Sequence, residues 1–398
     1  VHLTMPRRVT IIALALILAL QGTVLALAQT PLASPVTEQG GAWWQGATCY
    51  EIFVRSFMDS DGDGIGDIPG MTSQLDYLND GVPGEGDDLG VSCIWLMPIM
   101  QSPSYHGYDV TDYETIEPDY GTNDDFLIFM EEAHARGIRV IIDLPINHTS
   151  SDHPWFQDAI SAESSPYRAW YIFSAETPGY IGPWGQQVWH PTPGGDDYYY
   201  GIFVDSMPDL DFENPDVNDE VRRITEYWLV EMGVDGFRMD AIKHVIEDGR
   251  AQENTPATLE WLVDYSAFIR SVKPDAYTVG EVNGAGTDGL LPYYPDTLDH
   301  YFQFELAQAM VNTSNFGSAR TLAPILQRTY DTLPDQRWGT FLTNHDQPRY
   351  ASQVEEPEKQ RVGAMMLLSF PGTPYIYYGE EIGIPGDKPD PNIRTPMQ

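Results

Sequence analysis

The sequence predicts an α/β protein of the (β/α)8 TIM barrel class with a small domain inserted after the third strand. Three observations carry this. Eight short apolar runs recur along 398 residues, helix-like segments lie between several of them, and the interval between the third and fourth runs is far too long for one helix. Continuously apolar strands alternating with helices mark a parallel sheet buried on both faces. Eight such units match one barrel of this length.

The runs, in order, are CYEIFV (49–54), VSCIWLMP (91–98), IRVIIDL (138–144), VDGFRMDA (234–241), AYTVGEV (276–282), HYFQFEL (300–306), WGTFLTN (338–344) and TPYIYYG (373–379). The segment NDDFLIFMEEAHARG (123–137) opens on a capping residue and closes on glycine, the usual helix start and stop signals. A second helical pattern is EVRRITEYWLVEMG (220–233). Residues 148–213 are rich in Trp, Tyr, Gly and Pro, as in GPWGQQVWHPTPGGDDYYYGIF (182–203), and show no helical period. A structureless loop of that length is improbable in a compact domain. It therefore reads as a small inserted domain, with the barrel built from 43–147 and 214–398.

The N-terminus reads as an export signal over 1–28. Arg7 and Arg8 precede the apolar run 9–20, and the small-x-small triplet Ala26, Leu27, Ala28 follows. The apolar run is shorter than the ~20 residues of a membrane span. A Pro/Ser/Gly-containing linker, 29–42, follows. The expectation is a secreted protein with no membrane attachment after cleavage, and a monomer. The formal net charge is -38. Such a surface repels polyanions, which excludes nucleic acid as a partner class. The two cysteines, Cys49 and Cys93, open strand-like runs, and the residues leave a bridge and two buried thiols both open.

In a barrel of this class the active site lies at the C-terminal strand ends. Asp143, Asn147 and His148 close the third run, Arg238 and Asp240 the fourth, Glu281 the fifth, and His345 and Asp346 the seventh. Acids at four strand ends converge on one mouth. Clustered carboxylates, with no cysteine or lysine nucleophile among them, suit glycoside chemistry. One attacks the anomeric carbon and another protonates the leaving oxygen. Aromatic faces stack on sugar rings, and the insert and SYHGYDVTDY (104–113) supply them.

With these residues in place, the chain resembles the α-amylase family of glycoside hydrolases, family 13. The resemblance rests on DLPINH (143–148), MPDLD (207–211), GFRMDAIKH (236–244), GEV (280–282) and FLTNHD (341–346), in the family's order. It runs from about Trp43 to the C-terminus. It implies a catalytic barrel with an insert after the third strand, and a C-terminal β domain missing from this sequence. It implies Asp240 as nucleophile, Glu281 as acid/base, and Asp346 as the acid that grips sugar hydroxyls. Arg238 would keep the nucleophile ionised. His148 and His345 would bind hydroxyls of the sugar being cleaved, with Tyr108 stacked beneath it and His106 beside it. Lys243 and His244 resemble α-amylase residues that contact leaving-side sugars. Ala241 resembles members acting on α-1,4 links, and MPDLD lies between the forms typical of amylases and oligo-1,6-glucosidases. The expected substrate is an α-glucan cut internally. An exo-acting α-glucosidase or a transglycosylase is the alternative, and a non-catalytic carbohydrate-binding relative is a further one.

DSDGDGIGD (59–67) crowds four aspartates into nine residues. Asp59, Asp61, Asp63, the Ile65 carbonyl and Asp67 match the first half of an EF-hand loop, but position 12 is Gly70 and a strand-like run precedes the loop. Oxygen donors on alternate residues suit Ca2+. The loop resembles the calcium loop that many family members carry after the first strand. The resemblance implies a second calcium site at Asn147, Asp209 and the carbonyl of His244. PYIYYGEE (374–381) carries no basic residue, so no chloride activation is expected.

Overall fold

All eight apolar runs supply strands. In a computed structural model of the chain, residues 42–84 and 86–397 are described. The expected export signal and nearly all of the linker lie outside the described residues. The strands are β1 (Cys49–Ile52), β2 (Cys93–Leu96), β3 (Arg139–Leu144), β4 (Gly236–Met239), β5 (Tyr277–Gly280), β6 (His300–Phe302), β7 (Trp338–Phe341) and β8 (Thr373–Tyr377). They close into one parallel barrel, each strand beside its sequence neighbour, with β1 paired to β8.

The period of two along a strand sorts each run into an inward and an outward set. Cys49, Cys93, Trp95, Ile141, Val279, Phe302, Phe341 and Tyr375 form the core inside the barrel. Tyr50, Ile52, Ile94, Leu96, Val140 and Ile142 belong to the larger core under the surrounding helices. Continuing the inward set one step toward the strand C-termini reaches Glu51, Asp143 and Glu281, so the barrel interior turns from apolar to ionic at that end. Gly236 opens β4 at φ +150, and a Cβ there would lie 1.8 Å from the Tyr277 carbonyl oxygen. Only glycine lets the strand that carries Arg238 approach its neighbour this closely. Cys49 and Cys93 face each other across β1 and β2 and are disulfide-bonded, which resolves the pairing the sequence left open.

Three local features differ from the sequence expectation. The helix Asn123–Ala135 begins one residue earlier, where Thr122 and Asp125 form a reciprocal capping box. The sixth run splits: only His300–Phe302 is strand, because Gln303 caps a helix that starts at Phe304. The excursion between β3 and β4 holds a helix, Pro154–Ser161, capped by His153, besides a three-stranded antiparallel sheet of Phe173–Ser174, Tyr198–Tyr200 and Trp189–Pro191. At eight residues that helix is too short for its apolar period to stand out. The excursion is tied to its own root by bridges between His148 and Asp209 and between Tyr171 and Leu210.

Candidate active site

The end of β4 organises the mouth of the barrel. Arg238 is buried, and Nη1 donates to both carboxylate oxygens of Asp143 at 2.9 Å and to Asp240 Oδ1 at 2.5 Å. Its Nη2 donates to Glu281 Oε2. One guanidinium thus holds acids from the ends of β3, β4 and β5, and its planar fork suits this better than a lysine would. Its charge lies 5.3 Å from the centroid of Trp95. Beyond Asp240 the chain turns sharply at Ala241, at φ 50 and ψ 27. A non-glycine residue rarely adopts this conformation, which clusters at functional sites.

Asp346 completes the set from the β7 side. His345 Nε2 lies 3.3 Å from Asp346 Oδ2, and Arg394 Nη2 donates to Asp346 Oδ1 at 2.9 Å. The other ring nitrogen of His345 meets Glu51 Oε1 at 2.6 Å. Tyr108 donates to Asp143 Oδ2 at 3.0 Å, contacts His345 Nε2 at 2.8 Å, and stacks on the His345 ring at 5.8 Å. Asp240, Glu281 and Asp346 share a cleft of about 520 Å3 with His106, Tyr108, His148, Lys243 and His244. Arg238 and His345 lie among the acids without lining that space.

The electrostatics separate the acids. Burial pushes Glu281 up to about 7, with the Asp240 and Asp346 charges adding to the rise and Arg238 opposing it. Burial also raises Asp240, to about 6, against the pull of Arg238. Burial works against the charge on Asp346 too, yet His345 and Arg394 hold its carboxyl below the ordinary aspartate range. Near neutral pH the cleft therefore presents one half-protonated acid beside two ionised ones. Burial drives His148 and His244 down to about 4, so both are neutral. His148 Nε2 donates to the Tyr108 carbonyl and His244 Nδ1 to the Gln252 carbonyl. Each ring keeps a buried second nitrogen with no protein partner, free to accept a hydroxyl.

Residues 51–396 match the family model for the α-amylase catalytic domain. The chain belongs to the α-amylase family of glycoside hydrolases, family 13. Among family members, it is 40% identical over 361 residues to "Alpha-amylase 3" of Dictyoglomus thermophilum, covering 89% of this chain and 68% of the relative. It is 35% identical over 391 residues to an oligo-1,6-glucosidase of Parageobacillus thermoglucosidasius, covering 89% and 67%. The crystal structure of an α-amylase from H. orenii superposes with a TM-score of 0.81 at 46% identity, covering 89% of this chain and 72% of that one. The protein is thus an α-amylase-family enzyme whose chain spans about two thirds of the length of these relatives.

Family membership does not by itself locate the supporting residues, and several escaped the sequence. Glu51 is an acid inside an apolar run, and its inward register beside Cys49 was a usable signal. Arg394 lies 48 residues beyond its partner Asp346 and carries no local pattern. Glu247 is half-buried, its carboxyl is pushed up to about 8 mainly by desolvation, and its Oε1 has no hydrogen-bond partner.

The acidic loop after β1 is folded on itself. Asp59 accepts from the N–H groups of Asp61, Gly62 and Gly64, and these bonds lower its pKa. Asp59, Asp61 and Asp67 each bring a carboxylate oxygen within 4.8 Å of the others. Asp63 is not in that converging set. Its Oδ1 accepts from Ile65 N–H at 2.7 Å. At the root of the insert, Asn147 donates to Asp209 Oδ2 at 3.1 Å, and both side chains are buried. Burial and the neighbouring Glu247 charge push Asp209 well above the usual carboxylate range. The donor chemistry fits a hard cation at both places.

Proposed function

We propose that the protein is a secreted enzyme that cuts internal α-1,4-glucosidic bonds of starch, glycogen or maltooligosaccharides with retention of configuration. The single observation that carries the chemistry is the hanging of Asp240 and Glu281 on opposite arms of the Arg238 guanidinium. That makes the two carboxyls neighbours. It supports the close spacing of retaining enzymes, about 5–5.5 Å, over the wider spacing of inverting ones, about 6.5–9.5 Å.

Asp240 attacks the anomeric carbon as the glycosidic C–O bond breaks. Glu281 gives its proton to the departing oxygen. Water then attacks the glycosyl–Asp240 ester, Glu281 takes the water's proton, and Asp240 is released. Asp346, ionised and braced by Arg394, holds sugar hydroxyls and favours the positively charged transition state. Tyr108 and His106 receive the sugar ring, with His148 on its hydroxyls, while His345, outside the cleft lining, positions Tyr108 and Asp346. Lys243 and His244 face the sugars beyond the scissile bond. Calcium bound by Asp59, Asp61, Asp63, Asp67 and the carbonyl of Ile65, and a second ion at Asn147, Asp209 and the carbonyl of His244, with the Glu247 carboxyl near Asp209, would brace loops as a structural cation does. No chloride activation is expected.

Asp240→Asn tests the assignment: release of reducing ends from starch is lost while starch binding persists. Undiminished turnover in that variant refutes it. The identity to an oligo-1,6-glucosidase favours a second reading, an exo-acting α-glucosidase or transglycosylase. Early product chromatography separates the two, because internal cutting gives mixed oligosaccharides and exo cutting gives glucose alone.

A further inference from the structure

We infer that Trp184, at the tip of the inserted domain, is the stacking platform for the glucose unit on the leaving-group side and makes the enzyme favour chains that extend past the cut. The inference rests on the α-glucan reading above. Trp184 is the one tryptophan among the described residues that is mostly exposed, at 56%, and it borders the cleft. One face of the indole stacks on Phe203, with centroids 5.6 Å apart and planes inclined by 26°. The ring meets His244 at 5.4 Å and 70°, and more than half of the residue stays exposed beside the cleft.

The platform is held rigidly. Gly182 N–H donates to the Gln186 carbonyl, and Gln186 Oε1 accepts from Trp184 N–H at 2.9 Å. Gln186 Nε2 in turn donates to the Ile202 carbonyl at 2.8 Å, and Gln252 Nε2 grips the Ile181 carbonyl at 3.0 Å. A turn tied down at both ends has little freedom left to lose on binding.

The side of the cleft follows from connectivity. Lys243 lies 6.0 Å from the Trp184 ring and donates to the Asn283 carbonyl, two residues beyond Glu281. The departing oxygen leaves toward the acid that protonates it, so this wall meets the sugar behind that oxygen. A glucose ring offers an apolar C–H face to an indole and hydroxyls at its rim. His244 Nε2, buried and unpartnered beside the indole, accepts one of those hydroxyls.

Maltopentaose and α-maltosyl fluoride separate this role from the chemistry, because the fluoride carries no leaving-side sugar. In Trp184→Ala, kcat/KM on maltopentaose is expected to fall about tenfold, equivalent to about 1.4 kcal/mol. On the fluoride it stays within about twofold. Trp184→Phe, which keeps a flat face, recovers most of the loss. Equal losses on the two substrates, or no loss on maltopentaose, overturn the inference alone. Turnover of neither substrate by the parent overturns the α-glucan reading, and this inference with it.

Discussion

Replacing Glu281 by Gln removes the group whose ionisation the fold opposes most directly among the three acids. Burial lifts it from 4.5 to about 7, helped by Asp240 and Asp346 and opposed by Arg238. Its folded pKa exceeds its unfolded one, so its contribution to stability is full below about pH 4.5 and is lost as pH rises through about 7. The difference of about 2.5 pH units, at 1.36 kcal/mol each, means the ionised acid costs the native state about 3 kcal/mol at pH 8.5. Gln cannot ionise, so Glu281→Gln is expected to be more stable than the parent by up to that amount at pH 8.5. Near pH 4 the two should be alike. Urea unfolding of both proteins across this range is the assay. Turnover should fall by about 10²–10⁴-fold, the worth of a positioned acid. A stability difference that is flat with pH, or one that favours the parent at high pH, would refute the argument.

Two further outcomes follow from the surrounding contacts. Arg394→Ala removes the 2.9 Å bond to Asp346 and should cut kcat/KM by about 10–150-fold, the range for a charge-assisted hydrogen bond of about 1.5–3 kcal/mol. The same change should lift the Asp346 pKa; an Asp346 carboxyl that titrates unchanged by NMR counts against the role given to Arg394. Chelation should lower the melting temperature, with a loss of about 2.7 kcal/mol if calcium was present at a hundred times its Kd. In Asp59→Asn/Asp61→Asn the chelator effect should shrink. No shift in the parent, with no metal in the purified protein, removes both calcium proposals.

The barrel was legible because its strands are buried on both sides, and a run such as IRVIIDL has few other places to go. Strand ends were legible for the same reason: an Asp or Glu closing an apolar run stands out. What stayed hidden depends on distance or on short length. The pairing of Cys49 with Cys93 needed the strand register. The helix Pro154–Ser161 spans barely two turns. Arg394 and Glu51 serve their aspartate and histidine partners across intervals of 48 and 294 residues, which no local pattern encodes. Trp184 sat in a segment whose aromatic richness was plain, but only the fold shows which indole faces the cleft.

The seam between β1 and β8 has a consequence for how the protein comes into being. Glu51 belongs to the first barrel strand made on the ribosome, and its histidine partner emerges almost three hundred residues later. Tyr50 must wait longer still for Glu381, to which it donates at 2.8 Å. Until Thr373–Tyr377 is synthesised, β1 has an open edge and no eighth neighbour, and contacts this remote form late. A chain interrupted before that strand would keep Asp240, Glu281 and Asp346, but the ring that fixes their positions would not be closed. Activity should therefore appear in a nascent chain abruptly, with the last strand, rather than grow with length.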